Sequence, residues 1–242
     1  MTRMDRPRAA SRLPPRVAIA GTDTGVGKTF VGAHVARAWK LAGRRVAVAK
    51  PVESGLGSSV GFESDAEMLA RAADDPGPIA EISPYRFRAA LAPTVAAARE
   101  GVEIDAGVVR RCVRHAVESG DAAVVEGAGG LLVPLAPGLT LRDIAIESDL
   151  PLLVVVGNRL GCVNHALLTV ECARATGCRV CGLVLCTTDR REDESRATNR
   201  KLLAGLCDAP ILFELPYVDP EWFWLGLDDR ARSLVGPLLE TP

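Results

Sequence analysis

The chain has few aromatic residues, 4% of its 242 positions, and almost no net charge. Its 29 Lys and Arg residues against 30 Asp and Glu residues leave a formal charge of -1. A balanced charge gives no general attraction to nucleic acid or to an anionic lipid surface. We therefore expect a small-molecule partner and neither nucleic acid nor a membrane.

Long apolar runs are also missing from the sequence. No stretch reaches the roughly 20 apolar residues that a membrane helix needs, and no apolar segment follows the N-terminus as in a signal peptide. These features predict a cytoplasmic protein. The seven cysteines are odd in number and widely spread, which favours reduced, buried thiols over disulfides. Cys178 and Cys181 form a C-x-x-C, but no second pair completes a zinc site.

The first residues are basic and rich in proline. Residues 1–16 contain five arginines and three prolines with almost no large apolar side chain, too little to offset the entropy of ordering. We predict a disordered basic tail over residues 1–15 and a single domain over 16–242. A transit peptide is the alternative, which Asp5 and the prolines make less favourable. The aromatic residues near the C-terminus, at 222–224, are expected to pack rather than bind a ligand.

From residue 17 onward, short apolar runs alternate with helical stretches. The predicted strands are 17–20, 46–49, 122–125, 152–156, 180–185 and 211–213, and the predicted helices are 27–42, 64–73, 104–119, 162–176 and 192–205. Continuous rather than alternating hydrophobicity is typical of a parallel sheet covered on both faces. We predict a three-layer α/β/α sandwich with a mostly parallel central sheet, of the phosphate-loop NTPase type, with ligands at the carboxyl ends of the strands.

A phosphate-binding loop follows the first predicted strand and precedes a helix. Its backbone amides can cradle phosphates, Lys28 can reach the β and γ phosphates of a nucleotide, and Thr29 can ligate Mg2+. The usual spacing G-x-x-x-x-G-K-[ST] would place glycine at position 22, where this chain has Thr22. The loop residues predicted to bind the nucleotide are Gly25, Val26, Gly27, Lys28 and Thr29.

Charged residues near two further strands and a helix complete the predicted site. Glu126 follows the run 122–125 and Asp65 opens a predicted helix, so both can serve Mg2+, although a turn and a helix cap are their structural alternatives. Lys50 follows the second strand and can neutralise charge on a transferring phosphoryl group, unless it is a surface lysine. Position 23 is Asp23, where some switch ATPases carry an additional lysine.

Four segments together resemble one enzyme family. They are GTDTGVGKT at 21–29, KPVESG at 50–55, VEGAGG at 125–130 and LGCVNHA at 160–166. Over residues 16 to about 217 the chain resembles dethiobiotin synthetase. The resemblance implies an ATP-dependent ligase that converts 7,8-diaminopelargonate and CO2 into dethiobiotin through a carbamate and a mixed anhydride with phosphate.

The resemblance also implies roles for individual residues. The catalytic residues would be Lys50, Lys28 and Thr24; the magnesium-binding residues would be Thr29, Asp65 and Glu126; the substrate-binding residues would be Ser54, Gly161, Cys162 and Asn164. Glu126 and Cys186 would also belong to the nucleotide site. In this family the substrate lies across a subunit boundary, which implies a homodimer.

Three positions depart from the family pattern. Cys186 stands where many members have an asparagine that reads adenine, and a thiol cannot supply that paired donor and acceptor. We therefore predict a relaxed base preference, with other nucleoside triphosphates used comparably with ATP. Thr94 replaces a histidine, with no consequence that we can predict, and Gly25 replaces the glutamate of some members, so Gly25 receives no catalytic role.

Two alternatives remain at this point. One is another phosphate-loop ligase that forms amide or ureido bonds, such as those of cobalamin synthesis, but 242 residues leave no space for their glutamine-hydrolysing domain. The other is a nucleotide-dependent switch or scaffold. Asp23 and the segment 160–166 both argue against a switch.

Overall fold

The structure is a computed structural model that describes residues 12–58 and 63–239. Its strands are β1 Arg16–Gly21, β2 Val46–Ala49, β3 Val52–Ser54, β4 Tyr85–Phe87, β5 Ala122–Gly130, β6 Pro134–Ala136, β7 Leu139–Thr140, β8 Leu152–Gly157, β9 Val180–Cys186 and β10 Ile211–Leu215. Its α-helices are α1 Lys28–Leu41, α2 Asp65–Ala73, α3 Ile79–Ile82, α4 Pro93–Arg99, α5 Ala106–Ser119, α6 Leu141–Glu147, α7 Cys162–Ala175, α8 Arg196–Leu206 and α9 Leu227–Arg230.

Six strands form one parallel sheet in the order β10-β9-β8-β1-β5-β2. These are the six predicted strands, and the five predicted helices are also present, so the predicted fold class is confirmed. Every residue of β8 is buried. Residues of β1 alternate between two hydrophobic clusters, with Val17 and Ile19 in one and Ala18 and Ala20 in the other. Burial on both faces explains why these strands are continuously apolar.

Each cluster is covered by its own set of helices. Helices α1 and α2 pack on one face of the sheet with the C-terminal segment, whereas α4 to α8 contribute to the cluster on the other face. The smaller elements were not predicted. They include the parallel pair β3–β4 and the antiparallel pair β6–β7, which are only two or three residues long.

The N-terminal boundary differs from the prediction. Residues 1–11 of the predicted tail lie outside the described residues. Leu13, however, is 1% exposed, and its backbone N–H donates to the carbonyl oxygen of Leu238 at 2.8 Å. Leu13 therefore belongs to the packed domain, because its side chain lies in the same hydrophobic cluster as Phe223 and Val235 of the C-terminal segment.

The C-terminal segment is attached to α1 by aromatic and charged contacts. Phe223 is fully buried, with its ring centroid 4.6 Å from that of Phe30. Arg230 Nε donates to His34 Nε2 at 3.1 Å, and His34 Nδ1 lies 2.7 Å from the carbonyl oxygen of Phe30. Asp228 accepts two hydrogen bonds from the guanidinium of Arg37. The predicted packing role of the aromatic residues is thus correct for Phe223, whereas Trp222 is 60% exposed.

Two further observations concern the cysteines and the lengths of the helices. All seven cysteines are free thiols, and all are buried except Cys172 and Cys181, which are partly buried. Within the described part of the chain, no helix is both long and apolar enough to cross a lipid bilayer.

Candidate functional site

The phosphate loop connects β1 to α1 and depends on two glycines. Gly25 and Gly27 have φ angles of 70° and 92°, a left-handed conformation that side chains disfavour. A Cβ atom on Gly27 would also come within 2.4 Å of the sulfur of Cys186. The loop therefore packs directly against the end of β9, and only glycine fits at this contact.

Four charged side chains and one hydroxyl meet beside the loop. Lys50 Nζ donates to Glu126 Oε1 at 2.5 Å and lies 2.9 Å from Asp65 Oδ2. Thr29 Oγ1 donates to the same Glu126 oxygen at 2.9 Å. Lys28 Nζ donates to the backbone carbonyl of Asp23 at 3.2 Å. The structure therefore brings together the predicted phosphate-loop, magnesium and Lys50 positions.

Burial and the neighbouring charges together determine the protonation of these groups. Lys50 is 3% exposed, which rules out a surface lysine. Burial opposes its charge, but Asp65 and Glu126 outweigh this effect and raise the Lys50 pKa. Burial, assisted by the charge of Lys50, lowers the pKa of Lys28. Burial opposes the charge of Asp65 as well, yet the nearby Lys50 ammonium lowers the Asp65 pKa. Lys50 and Asp65 are therefore an ion pair at neutral pH.

The position of Glu126 differs from the prediction. It does not end a strand, because β5 continues to Gly130, and its side chain is completely buried. Burial raises the pKa of Glu126. Its second oxygen, Oε2, is buried and has no hydrogen-bond partner. The alternative role of Asp65 as a helix cap is also wrong, since the cap of α2 is Ser64.

A cavity of about 980 Å³ opens from the phosphate loop. The predicted residues that line it are Thr24, Gly25, Gly27, Lys28, Thr29, Lys50, Ser54, Asp65 and Cys186. Neither Val26 nor Glu126 lines this cavity. No group of three or more His, Cys, Asp and Glu side chains within residues 12–58 and 63–239 could hold a metal ion. Thr29 and Asp65 line the cavity, whereas Glu126, which accepts a hydrogen bond from Thr29, is buried outside its lining.

Comparisons with known proteins agree with this geometry. The family model described as an AAA domain matches residues 15–220. The chain is 43% identical over 216 residues to the ATP-dependent dethiobiotin synthetase BioD of Anaeromyxobacter dehalogenans strain 2CP-1, covering 89% of this chain and 93% of that protein. The chain belongs to the dethiobiotin synthetase family. The resemblance predicted from the four motifs is therefore confirmed.

Two further matches support this family and its fold. A dethiobiotin synthetase BioD from Anaeromyxobacter sp. strain K is 42% identical over 216 residues, again 89% of this chain and 93% of that protein. The solved structure of a plasmid partition protein from Borrelia burgdorferi B31 bound to AMPPNP superposes with a TM-score of 0.51 at 13% identity, covering 93% of this chain and 96% of that chain. At that identity the structural match shows a shared fold alone.

One group of predicted substrate residues lies apart from the cavity. Gly161 precedes α7 with a φ angle of 89°, Cys162 is buried and Asn164 is exposed, and none of the three lines the cavity within the described chain. Their loop is connected to the phosphate loop by the ion pair between Arg159 and Asp23, at 2.9 Å. In this member of the dethiobiotin synthetase family, the Asp23 carboxylate therefore pairs with the guanidinium of Arg159.

Cys186 lies in the lining of the cavity. The thiol is 3% exposed and makes up part of the lining with Thr187 and Thr188. Burial raises the Cys186 pKa to about 12, so the side chain remains a neutral thiol. Thr94 lies in the first turn of α4 and is not among the lining residues, although the neighbouring Pro93 is.

Two groups of residues at the site were missed by sequence analysis. Trp224, Arg71 and Glu63 line the cavity, with the Arg71 guanidinium 4.0 Å from the Trp224 ring centroid and the indole N–H donating to Glu63 at 2.9 Å. Glu53 and Arg86 lie beneath Asp65. Glu53 lies within the motif at 50–55, but nothing in that motif indicated its partner.

Proposed function

We propose that the protein forms dethiobiotin from 7,8-diaminopelargonate, CO2 and ATP. One amine takes up CO2 as a carbamate, whose oxygen attacks the γ phosphate of ATP and releases ADP. The second amine attacks the resulting carbamic-phosphoric anhydride and expels phosphate. This proposal rests on membership of the family and above all on one observation: the buried Lys50 shares a single cavity with the phosphate loop and Ser54.

The charges of the site suit phosphoryl transfer to a carbamate. A carbamate is already an oxygen nucleophile, so the site needs alignment and charge neutralisation more than a strong base. Lys50 stays protonated between its two carboxylates and can stabilise both the carbamate and the transferring phosphoryl group. Lys28 and Thr24 would contact the γ phosphate from the loop. Ser54, whose hydroxyl donates to the carbonyl of Leu91 at 2.8 Å, would receive the diamine or the carbamate.

The donor set also fits a magnesium ion. Thr29 and Asp65 would hold it directly or through water, and Glu126, with its unpartnered oxygen, would support it from behind. When bound with ATP, the ion would neutralise charge on the phosphates during transfer. Hard carboxylate and hydroxyl oxygens are the ligands that Mg2+ prefers.

We further propose that the active unit is a homodimer in the cytoplasm. Gly161, Cys162 and Asn164 do not reach the cavity of their own chain, and the amides at the start of α7 could bind the distal carboxylate of the diamine from across a subunit boundary. The same region exposes apolar side chains that a second copy could cover. They are Leu160, Leu168, Leu202 and Leu206, with exposures of 81%, 58%, 50% and 63%.

The experiment that tests the function follows the carbon and the phosphate. Protein, Mg2+, ATP, diaminopelargonate and 13C-bicarbonate should give dethiobiotin one mass unit heavier than with ordinary bicarbonate, with one ADP formed per product molecule. The matched control omits the diamine and should release almost no phosphate. Absence of dethiobiotin would overturn the proposal. Phosphate release at the full rate without diamine and bicarbonate would instead favour a nucleotide-dependent switch.

A further inference from the structure

Glu53 is a buried carboxylate that the proposed reaction does not use. It is 3% exposed and lies in β3 between Val52 and Ser54. Side chains alternate along a strand, so Glu53 faces away from the side that Ser54 presents to the cavity. In the β3–β4 pair, Glu53 is the register partner of Arg86. A buried charge is costly unless it is paired, so its retention here requires a reason.

The contacts of Glu53 converge on the first turn of α2. Its Oε1 accepts a hydrogen bond from the backbone N–H of Asp65 at 2.5 Å. Its Oε2 lies 3.6 Å from Arg86 Nε, an ion pair without a hydrogen bond. Arg86 also donates to Ser64 Oγ at 2.9 Å and to Glu67 Oε1 at 3.2 Å. Glu53 therefore holds the Asp65 amide itself, and Arg86 holds Ser64 and Glu67 on either side of it.

The capping box of α2 does not supply an acceptor for the Asp65 amide. Ser64 and Glu67 already form a complete capping box, in which each side chain accepts from the other's backbone N–H. The helix therefore has its start signal without Glu53. What Glu53 adds is a fixed backbone position for Asp65, the carboxylate that pairs with Lys50 at 2.9 Å on the cavity side.

We propose that Glu53, supported by Arg86, is a positioning residue that holds Asp65 in place for the magnesium-nucleotide complex. This inference rests on the proposed function in assuming that Asp65 serves Mg2+. Groups behind a metal ligand commonly orient it, and their loss typically lowers metal affinity or activity 10- to 100-fold. The contacts of Glu53 and Arg86 also connect β3, which carries the proposed substrate residue Ser54, to the start of α2, which carries Asp65.

The test compares ATP affinity with and without Mg2+ by calorimetry. We expect Mg2+ to increase the affinity for ATP by some factor in wild type, and in Glu53→Ala this factor should be about tenfold smaller, or smaller still. Affinity for ATP without Mg2+ should stay within about twofold, since Lys28 and the loop amides are untouched. In the Mg2+-free protein, hydrogen exchange at the Asp65 amide should be about tenfold faster, because its acceptor is gone.

Two further variants make the result decisive. Glu53→Gln keeps an oxygen for the Asp65 amide but loses the ion pair with Arg86, so Mg2+ should increase its ATP affinity about threefold less than in wild type. This variant keeps the inference testable if Glu53→Ala does not fold. Glu147→Ala removes the partner of Arg110 from an ion pair between α5 and α6, and should leave ATP binding unchanged.

Two outcomes would overturn the inference. One is an unaltered Mg2+ effect in Glu53→Gln. The other is an equal loss of ATP affinity with and without Mg2+, which would give Glu53 a general structural role. Failure of the proposed function is a separate result, because wild-type protein would then make no dethiobiotin while its nucleotide and Mg2+ affinities remained measurable.

Discussion

Acid should destabilise the protein through His34, which attaches the C-terminal segment to α1. The side chain is completely buried. Arginine can only donate, so the bond from Arg230 makes His34 Nε2 an acceptor, and Nδ1 must carry the proton that is donated to Phe30. The ring is therefore neutral, and burial lowers its pKa from 6.5 to about 4.

The shift predicts both the sign and the size of the effect. Unfolded chains protonate this histidine below pH 6.5, whereas the folded protein does so only near pH 4, so between these values the unfolded state binds more protons. Stability then falls as the pH falls through that window and is unaffected above it. Each pKa unit corresponds to about 1.4 kcal/mol, so the loss on reaching pH 4 is roughly 3 kcal/mol.

Urea unfolding at a series of pH values measures this effect. His34→Gln removes the titration while its amide can still donate to Phe30 and accept from Arg230. The difference in unfolding free energy between wild type and this variant should shrink by roughly 3 kcal/mol from pH 7 to pH 4, because the carboxylates common to both proteins cancel. A difference that stays constant with pH would refute the reasoning.

Three further changes test the site and the assembly. Lys50→Met should lower turnover about a hundredfold or more and cost about 3–5 kcal/mol of stability, because it leaves Glu126 buried without its partner. The double variant Lys50→Met with Glu126→Gln should recover stability but not turnover. Turnover by the double variant at a rate near that of wild type would exclude Lys50 from the mechanism. Wild type should use CTP and GTP within about tenfold of ATP, and Cys186→Asn should shift preference toward ATP by about tenfold, the worth of one or two hydrogen bonds, in equal-concentration assays. A strong ATP preference in wild type would contradict this prediction. Leu168→Glu should convert a dimer to monomers in sedimentation velocity, unlike Leu132→Glu, which changes an exposed leucine outside α7 and α8.

The sheet and the phosphate loop could be predicted because their signals are local. A strand buried on both faces is continuously apolar, and β1 and β8 show this directly in sequence. The rule that ligands bind at the carboxyl ends of parallel strands then placed Lys50 beside the loop. The structure brings Lys50 and the loop together as this rule predicts.

The remaining parts depend on contacts between distant segments. Strands β3 and β4 have only three residues each. Such short segments show no periodicity of hydrophobic residues that would predict the strands or the pairing of Glu53 with Arg86. The complete burial of Glu126 was missed because the glycines after it suggested a turn, whereas they continue β5. The apolar start of the domain at Leu13 was hidden among arginines and prolines.

The attachment of the C-terminal segment to α1 has a consequence for the order of folding during synthesis. The phosphate loop and α1 leave the ribosome early, yet Phe30 and His34 find their partners only when residues 223 and 230 have been made. Strand β1 must likewise wait for β5 and β8 on its two sides. Such long-range contacts slow folding. The nucleotide site is thus among the first parts of the chain to be translated and among the last to be completed.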